Sequence, residues 1–430
     1  MDVNEIADLG SDRRRALFER DAGVESARES VREVVERVRE EGDVAVREYT
    51  EEFDDVSVGN LDVSDAAERA YEDRIDSQVR DAIDTAVENV RAFHERQVPE
   101  DWREEFSPGR ELGRRFRPLE RVGVYAPGGT AAYPSSAIMG VVPAKVAGVE
   151  QVVVATPPAE EMNPATLAAV HAAGADEVYS IGGAQGIAAL AYGTETVPHV
   201  QKIVGPGSKW VTAAKAEVRG DVDIDFLAGP SEVLVLADET ADPEFVAAEL
   251  VAQAEHDPNA SVVAVTDDEN LADDVIDEVF AQVEDRERED TIREALANDA
   301  SGILLARSMS EAVLFANEYA AEHLAIHADD DEALLERIDN AGSVFLGEQT
   351  PVAAGDYASG TNHVLPTNGG AKRYGGLSVD EFVRSTTVQR LDEEGLGDLA
   401  DAITTLAAAE GLEAHAESVR KRVDRDDSDD

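Results

Sequence analysis

Apolar residues fall into two regimes along the chain. From Arg121 onward, short runs such as "RVGVYA", "QVVVATP", "DEVYSIGG" and "QKIVGPG" have the length and β-branched content of buried strands. Between them lie runs of helical length, "SSAIMGVVPAKVAG", "NPATLAAVHAAG" and "AQGIAALAYG". This alternation predicts βαβ units around a parallel sheet. A second series follows: "SEVLVLAD", the helix "PEFVAAELVAQAEH", "ASVVAVTD", a long acidic helix, "SGILLA", "SEAVLFANEYA", "HLAIHA" and "SVFLG". Up to about residue 115 the pattern reads as helices, including "ESVREVVERVREEGDVAVREYTEEF". A Gly-rich polar loop covers about 350–376, helices run on to about 422, and the tail "DRDDSDD" is expected to be disordered. The predicted fold is α/β with two parallel-sheet domains, and no internal sequence repeat is visible.

Charge changes the picture of the surface. The chain of 430 residues carries 92 acidic and 38 basic side chains, a formal net charge of −54, and only six of the basic residues are lysine. Such a surface repels phosphate backbones, which argues against a nucleic-acid partner. Its self-repulsion is relieved where molar salt shortens the screening length to about 3 Å, so the composition resembles that of proteins working in concentrated salt. Acidic helices such as "AAERAYEDRIDSQVRDAIDTAVENV" then read as solvated faces, not metal sites. No apolar run approaches the ~20 residues of a membrane span. The start "MDVNEIADLGSDRRR" lacks the apolar core of a signal peptide, so a cytoplasmic location is expected. With no cysteine, thiol nucleophiles, disulfides and thiolate metal sites are excluded.

Candidate chemistry gathers at a few polar positions. Three Gly-rich turns, "YAPGGTAAYPSS", "GGAQG" and "GPGSKW", fall at the C-terminal ends of predicted strands, where parallel sheets place ligands. Backbone N–H groups at a strand-to-helix turn suit an anion, but tight turns need glycine too, and no full G-x-G-x-x-G occurs. In "LVAQAEHDPNA", Gln253 and His256 share a helix face just before Pro258. Locally, a polar helix end facing water is the more common reason for such a pair than metal ligation. Glu322 and His323 fall where a helical pattern gives way to a strand, and both reach one site only if that junction bends. An acid/base pair and a surface Glu beside a core His stay equally open there. His363 lies seven residues after Asp356, and His415 five after Glu410. His94, His171, His199 and His327 read as structural or exposed.

Together the stretches "VYAPGGTAAYPSS", "GGAQGIAALAYGT", "IVGPG", "AGPSEVLVLAD", "QAEHD", "EHL", "AGSVFLG", "GDYASGTNHVLPT" and "EGLEAH" resemble the histidinol dehydrogenase family in order and spacing, over roughly Arg121 to His415. The resemblance implies zinc held by Gln253, His256, Asp356 and His415, and NAD as cofactor. It implies oxidation of L-histidinol to L-histidine through the aldehyde, the last step of histidine biosynthesis, with His323 as general base and Glu322 activating water. Ser231, His363 and Glu410 would touch substrate together with the metal ligands and His323. Tyr125, Gln185 and Ser208 would touch NAD. Two positions depart from the family pattern: Ser208 stands where Asn is usual, and Ala321 where proline is usual.

The resemblance further implies two incomplete Rossmann-like domains in a homodimer. Residues 1–25 would form an N-terminal helical segment. Residues 26–123 with 233–376 would form the first α/β domain and 124–232 the second. Residues 377–422 would form a helical segment reaching the partner, and 423–430 a disordered acidic tail. Three other readings stand beside it: a dehydrogenase for a related amino alcohol or sulfonate, a zinc hydrolase with Glu322 activating water, and a non-catalytic binding protein.

Overall fold

A computed structural model describes residues 1–20, 23–128 and 133–423. The chain divides into two compact units, one of Met1–Gln97 with Glu120–Phe382, the other of Val98–Leu119 with the segment from Val383. The expected disordered tail lies, except for Val423, outside the described residues.

The first unit holds both predicted parallel sheets. One is six-stranded, in the order Val3–Glu5, Gly302–Leu305, Ser261–Thr266, Glu232–Ala237, His323–His327, Ser343–Leu346, and every neighbouring pair is parallel. Its central strands are buried at every position because helices cover both faces. Alternate side chains divide between two cores. Val233, Val235 and Ala325 pack with helices Pro243–Ala254, Glu269–Val283 and Glu289–Ala297. Leu234, Leu236, Leu324 and Ile326 pack with Leu17 of helix Ser11–Phe18 and with Phe315 and Tyr319 of helix Met309–Tyr319.

The second sheet is five-stranded and parallel, in the order Glu177–Ser180, Gln151–Thr156, Arg121–Tyr125, Lys202–Val204, Asp223–Ile224. Numbered along the chain within this sheet, that order is 3-2-1-4-5, the Rossmann arrangement, and its direction reverses between Arg121–Tyr125 and Lys202–Val204. Gly205 follows the second of these strands with φ +111°, and an added Cβ would meet the Tyr125 carbonyl, so glycine there is a steric requirement. Helices Val24–Glu41 and Asp43–Asp54 pack on helix Gly183–Tyr192 over this sheet. Helices Val24–Glu41 and Asp43–Asp54 thus cover one face of the 121–224 sheet.

The second unit departs from the helical expectation for residues near 115 and beyond 376. Trp102–Ser107, Arg110–Pro118 and Val383–Leu391 form an antiparallel three-stranded sheet, followed by helices Glu393–Ala409 and Glu413–Val423. "WREEFS" is exposed at nearly every position and lacks apolar alternation, so the strand leaves no period-two signal.

One buried ion pair ties the N-terminal segment to the first sheet. Arg20 donates through Nε and Nη2 to the two carboxylate oxygens of Glu232 at 2.7 and 3.0 Å, with side chains 4% and 1% exposed. The guanidinium also stacks 3.9 Å from the Tyr319 ring centre. Removing one partner of such a pair leaves an uncompensated buried charge. Arg20→Ala should therefore cost about 3–5 kcal/mol, read as a lowered unfolding midpoint in molar KCl. A loss below about 1 kcal/mol, the worth of an exposed pair, would show that the interaction is not formed in solution.

Candidate functional site

A buried polar cluster lies at the N-terminal edge of the first sheet, around Ser231, Glu232, Glu322 and His323. Connectivity explains this. A crossover helix runs antiparallel to the strands it joins, so its C-terminus returns to the edge where the next strand begins. Helix Pro243–Ala254 starts on Asp242, which caps Glu244 N–H at 2.9 Å with Pro243 in the first turn. It ends by delivering Gln253 and then His256. Helix Met309–Tyr319 ends at Ala320 in the left-handed region, φ +53°, which turns the chain toward the strand that begins at His323.

Both side chains are buried and face the same place. Glu322 Oε2 accepts hydrogen bonds from Ser231 Oγ at 2.7 Å and from the Glu232 backbone N–H at 2.8 Å. His323 Nδ1 lies 3.0 Å from the Glu232 carbonyl. A carbonyl only accepts, so Nδ1 carries the proton. Glu322 Oε2 lies 3.6 Å from His323 Nδ1, and His323 Nε2 lies 3.4 Å from Asp356 Oδ1. His323 Nε2 is buried without a hydrogen-bond partner among the described residues. Gln253 Nε2 donates to Ser231 Oγ at 2.6 Å, which joins the helix end to the pair. Asp356 comes from helix Val352–Tyr357, and its carbonyl lies 2.8 Å from His363 Nδ1. Ser136 Oγ is 3.3 Å from His363 Nε2.

Charge state follows from burial and neighbours. Burial raises the Glu322 carboxyl to about 7, opposed by His323 and Ser231. Burial works against the charged His323 imidazole, but Glu322 and Asp356 outweigh it and raise its pKa to about 9. Burial also works against the Asp356 carboxylate, yet His323, His363 and His256 hold it below its ordinary value. His256 is exposed at the helix end, and the protein packed beside its ring lowers its pKa against the pull of Asp356.

Ser231, Gln253, Glu322, His323, Asp356 and His363 are thus linked by hydrogen bonds or close contacts, with His256 in their electrostatic neighbourhood. Glu410 and His415 belong to the second unit and are exposed. No group of three or more His, Asp or Glu poised to hold an ion is present among the described residues. Two supporting residues escaped sequence reading. Glu232 holds both members of the pair through its backbone. Glu249, one helical turn before Gln253, accepts the Val352 N–H at 3.1 Å and so fixes the helix that carries Asp356.

Tyr125, Gln185 and Ser208 line one cavity of about 1180 Å³ along the C-terminal edge of the second sheet. Of the Gly-rich turns, "GGAQG" opens helix Gly183–Tyr192, and the Gly183 N–H donates to Tyr125 Oη at 3.1 Å. Ser208 is the N-cap of helix Lys209–Val218, with its hydroxyl not engaged in capping. Residues 129–132 of the first turn lie outside the described residues. His94 is structural as expected, with Nδ1 2.7 Å from the Val90 carbonyl, and His327 is a buried strand residue.

A Rossmann-ordered sheet with a ligand cavity, and a second sheet carrying a buried carboxylate–imidazole pair, define an α/β protein of dehydrogenase type. The sequence profile of the histidinol dehydrogenase family matches residues 18–423, and the chain belongs to that family. The chain is 74% identical to histidinol dehydrogenase of Haloarcula marismortui, over 98% of this chain and all of that one. It is 71% identical to the enzyme of Natronomonas pharaonis, over 99% of this chain and all of that one. The crystal structure of histidinol dehydrogenase from Elizabethkingia anophelis superposes with a TM-score of 0.92 at 36% identity, covering 99% and 98% of the two chains. Among the described residues, no helix is long and apolar enough to cross a membrane.

Ser231 is a donor to Glu322 and an acceptor from Gln253, so Ser231→Ala should shift the Glu322 titration to higher pH. Carboxyl infrared bands, assigned by their loss in Glu322→Gln, would follow it. An unshifted titration would mean that this hydrogen bond is absent in solution.

Proposed function

We propose that this chain catalyses the zinc-dependent, NAD-linked four-electron oxidation of L-histidinol to L-histidine by way of L-histidinaldehyde, consuming one water and reducing two NAD. The observation that carries this reading is the Glu322–His323 pair held by the backbone of Glu232. The Nδ1 proton of His323 is committed to a carbonyl, so in the neutral form, which its raised pKa confines to alkaline pH, His323 Nε2 is the nitrogen that takes the alcohol proton as hydride departs. The relatives' shared name, at 71–74% identity over nearly the whole chain, supplies the substrate. Glu322, poised to titrate near neutrality, accepts the proton of the water that hydrates the aldehyde, and His323 Nε2 acts again in the second oxidation. A hydrated aldehyde suits a chain without cysteine, which has no thiol to form a thiohemiacetal.

Gln253, His256 and Asp356 offer oxygen and nitrogen donors of the kind zinc takes, and the depressed pKa of Asp356 keeps it ionised. These residues fit the metal, with His415 of the partner subunit as fourth ligand. Bound zinc supplies positive charge and open positions for the amine and imidazole of the substrate. Ser231, His363 and Glu410 of the partner subunit orient the substrate. The active form is a homodimer, and two exposed leucines beside Glu410, Leu406 at 64% and Leu412 at 43%, support an association surface there.

The test is NADH formed per L-histidinol consumed in molar KCl with zinc. Two are expected, with activity lost to a chelator and restored by zinc. No NADH from folded, zinc-loaded protein would overturn the reading. Replacing His256 with Asn should lower zinc content and activity together, and full activity at normal zinc content would remove it from the ligand set. Glu322→Gln should impair the second oxidation more than the first. His323 accepts a proton only when neutral, so both half-reactions should lose rate as pH falls through about 9, and the second should lose more where Glu322 also protonates, an extra loss absent from the variant. Equal loss of both half-reactions would count against the water-activating role.

A further inference from the structure

The cavity on the second sheet contains a carboxylate with no part in the chemistry above. In a sheet of this order the adenosine ribose of a dinucleotide lies against an acidic residue near the end of the second strand. Here that strand, Gln151–Thr156, runs into Thr156, Pro157 and Pro158, which line the cavity and supply no charge. An acid arrives from another element. Asp54 is the last residue of helix Asp43–Asp54, is half-buried, and lines the same cavity as Tyr125 and Gln185. Gln185 Nε2 donates to Asp54 Oδ2 at 3.3 Å, and no Lys or Arg pairs with Asp54 among the described residues. Burial without a cation raises its pKa to about 6. The charged residues lining the cavity are Glu52, Asp54 and Glu161, all acidic, and only Glu161 is held by an arginine, Arg74 at 2.5 Å.

We propose that Asp54 accepts the adenosine ribose hydroxyls of the dinucleotide and, with the acidic lining, excludes the form that carries a 2′-phosphate. A ribose diol offers donors to a carboxylate acceptor. A 2′-phosphate removes a donor and sets about two negative charges against the carboxylate, with no cation among the described lining residues to receive them. Contact distances are no longer than the roughly 3 Å screening length of molar salt, so the discrimination persists in concentrated KCl. The inference rests on the dinucleotide reading of this cavity.

Full-length enzyme in molar KCl is assayed on L-histidinol with NAD and with NADP, comparing wild type with Asp54→Asn, Asp54→Ser and Asp54→Glu. The wild type should strongly prefer NAD. The Asn and Ser variants should lose NAD efficiency through KM and shift the NAD/NADP ratio of kcat/KM toward NADP by about tenfold or more. The Glu variant should keep the preference. A ratio unchanged in Asn and Ser, with NAD turnover intact, overturns the role of Asp54 and leaves the proposed function standing. Comparable use of both dinucleotides by the wild type overturns it as well. If folded wild type turns over neither, the dinucleotide reading itself fails. Should the variants not fold, equilibrium dialysis of the wild type against each dinucleotide decides: weaker NADP binding supports the proposal, and equal binding rejects it.

Discussion

The site depends on how one residue, Glu232, is held at the start of a central strand. Its side chain is clamped by Arg20, and Asn368 N–H donates to the same carboxylate at 2.6 Å. Its backbone N–H and carbonyl then hold Glu322 and His323. The buried carboxylate and guanidinium are costly to desolvate, and their matched geometry with added hydrogen bonds offsets that cost. The clamp also joins the N-terminal segment, the loop at 368 and the sheet at one point, so displacement of any of them disturbs the Glu322–His323 pair. The imidazole of His323 therefore has its tautomer set by main chain, the least adjustable part of the protein.

Burial shapes the electrostatics of both sheets in different ways. On the first sheet it raises Glu322 toward neutrality, while three histidines keep Asp356 ionised, so two carboxylates near one another hold different charge states. On the second, Asp54 is raised by burial alone. These few groups matter within a surface carrying a net charge of −54, because concentrated salt screens the exposed charges and acts less on partly buried ones. The large acidic background and the specific acid–base chemistry are thus nearly independent features of the same chain.

The sequence by itself determined the two α/β series, because strands buried on both faces must be runs of apolar residues and the helices between them show their own length and composition. It also placed Gln253 and His256 together at one helix end, and through the ordered motifs it identified the family. It did not reveal the strands at 102–118 and 383–391, whose exposed, charged residues carry no alternation, nor Asp54, concealed in the acidic run "EEFDD". Tertiary structure alone decided that the Glu322–His323 cluster lies at the N-terminal edge of its sheet and that both side chains meet there at the backbone of Glu232. Periodicity reports which face of an element is buried. Which ends of separate elements meet is set by packing and by the direction of the crossover helices, and local patterns do not encode that.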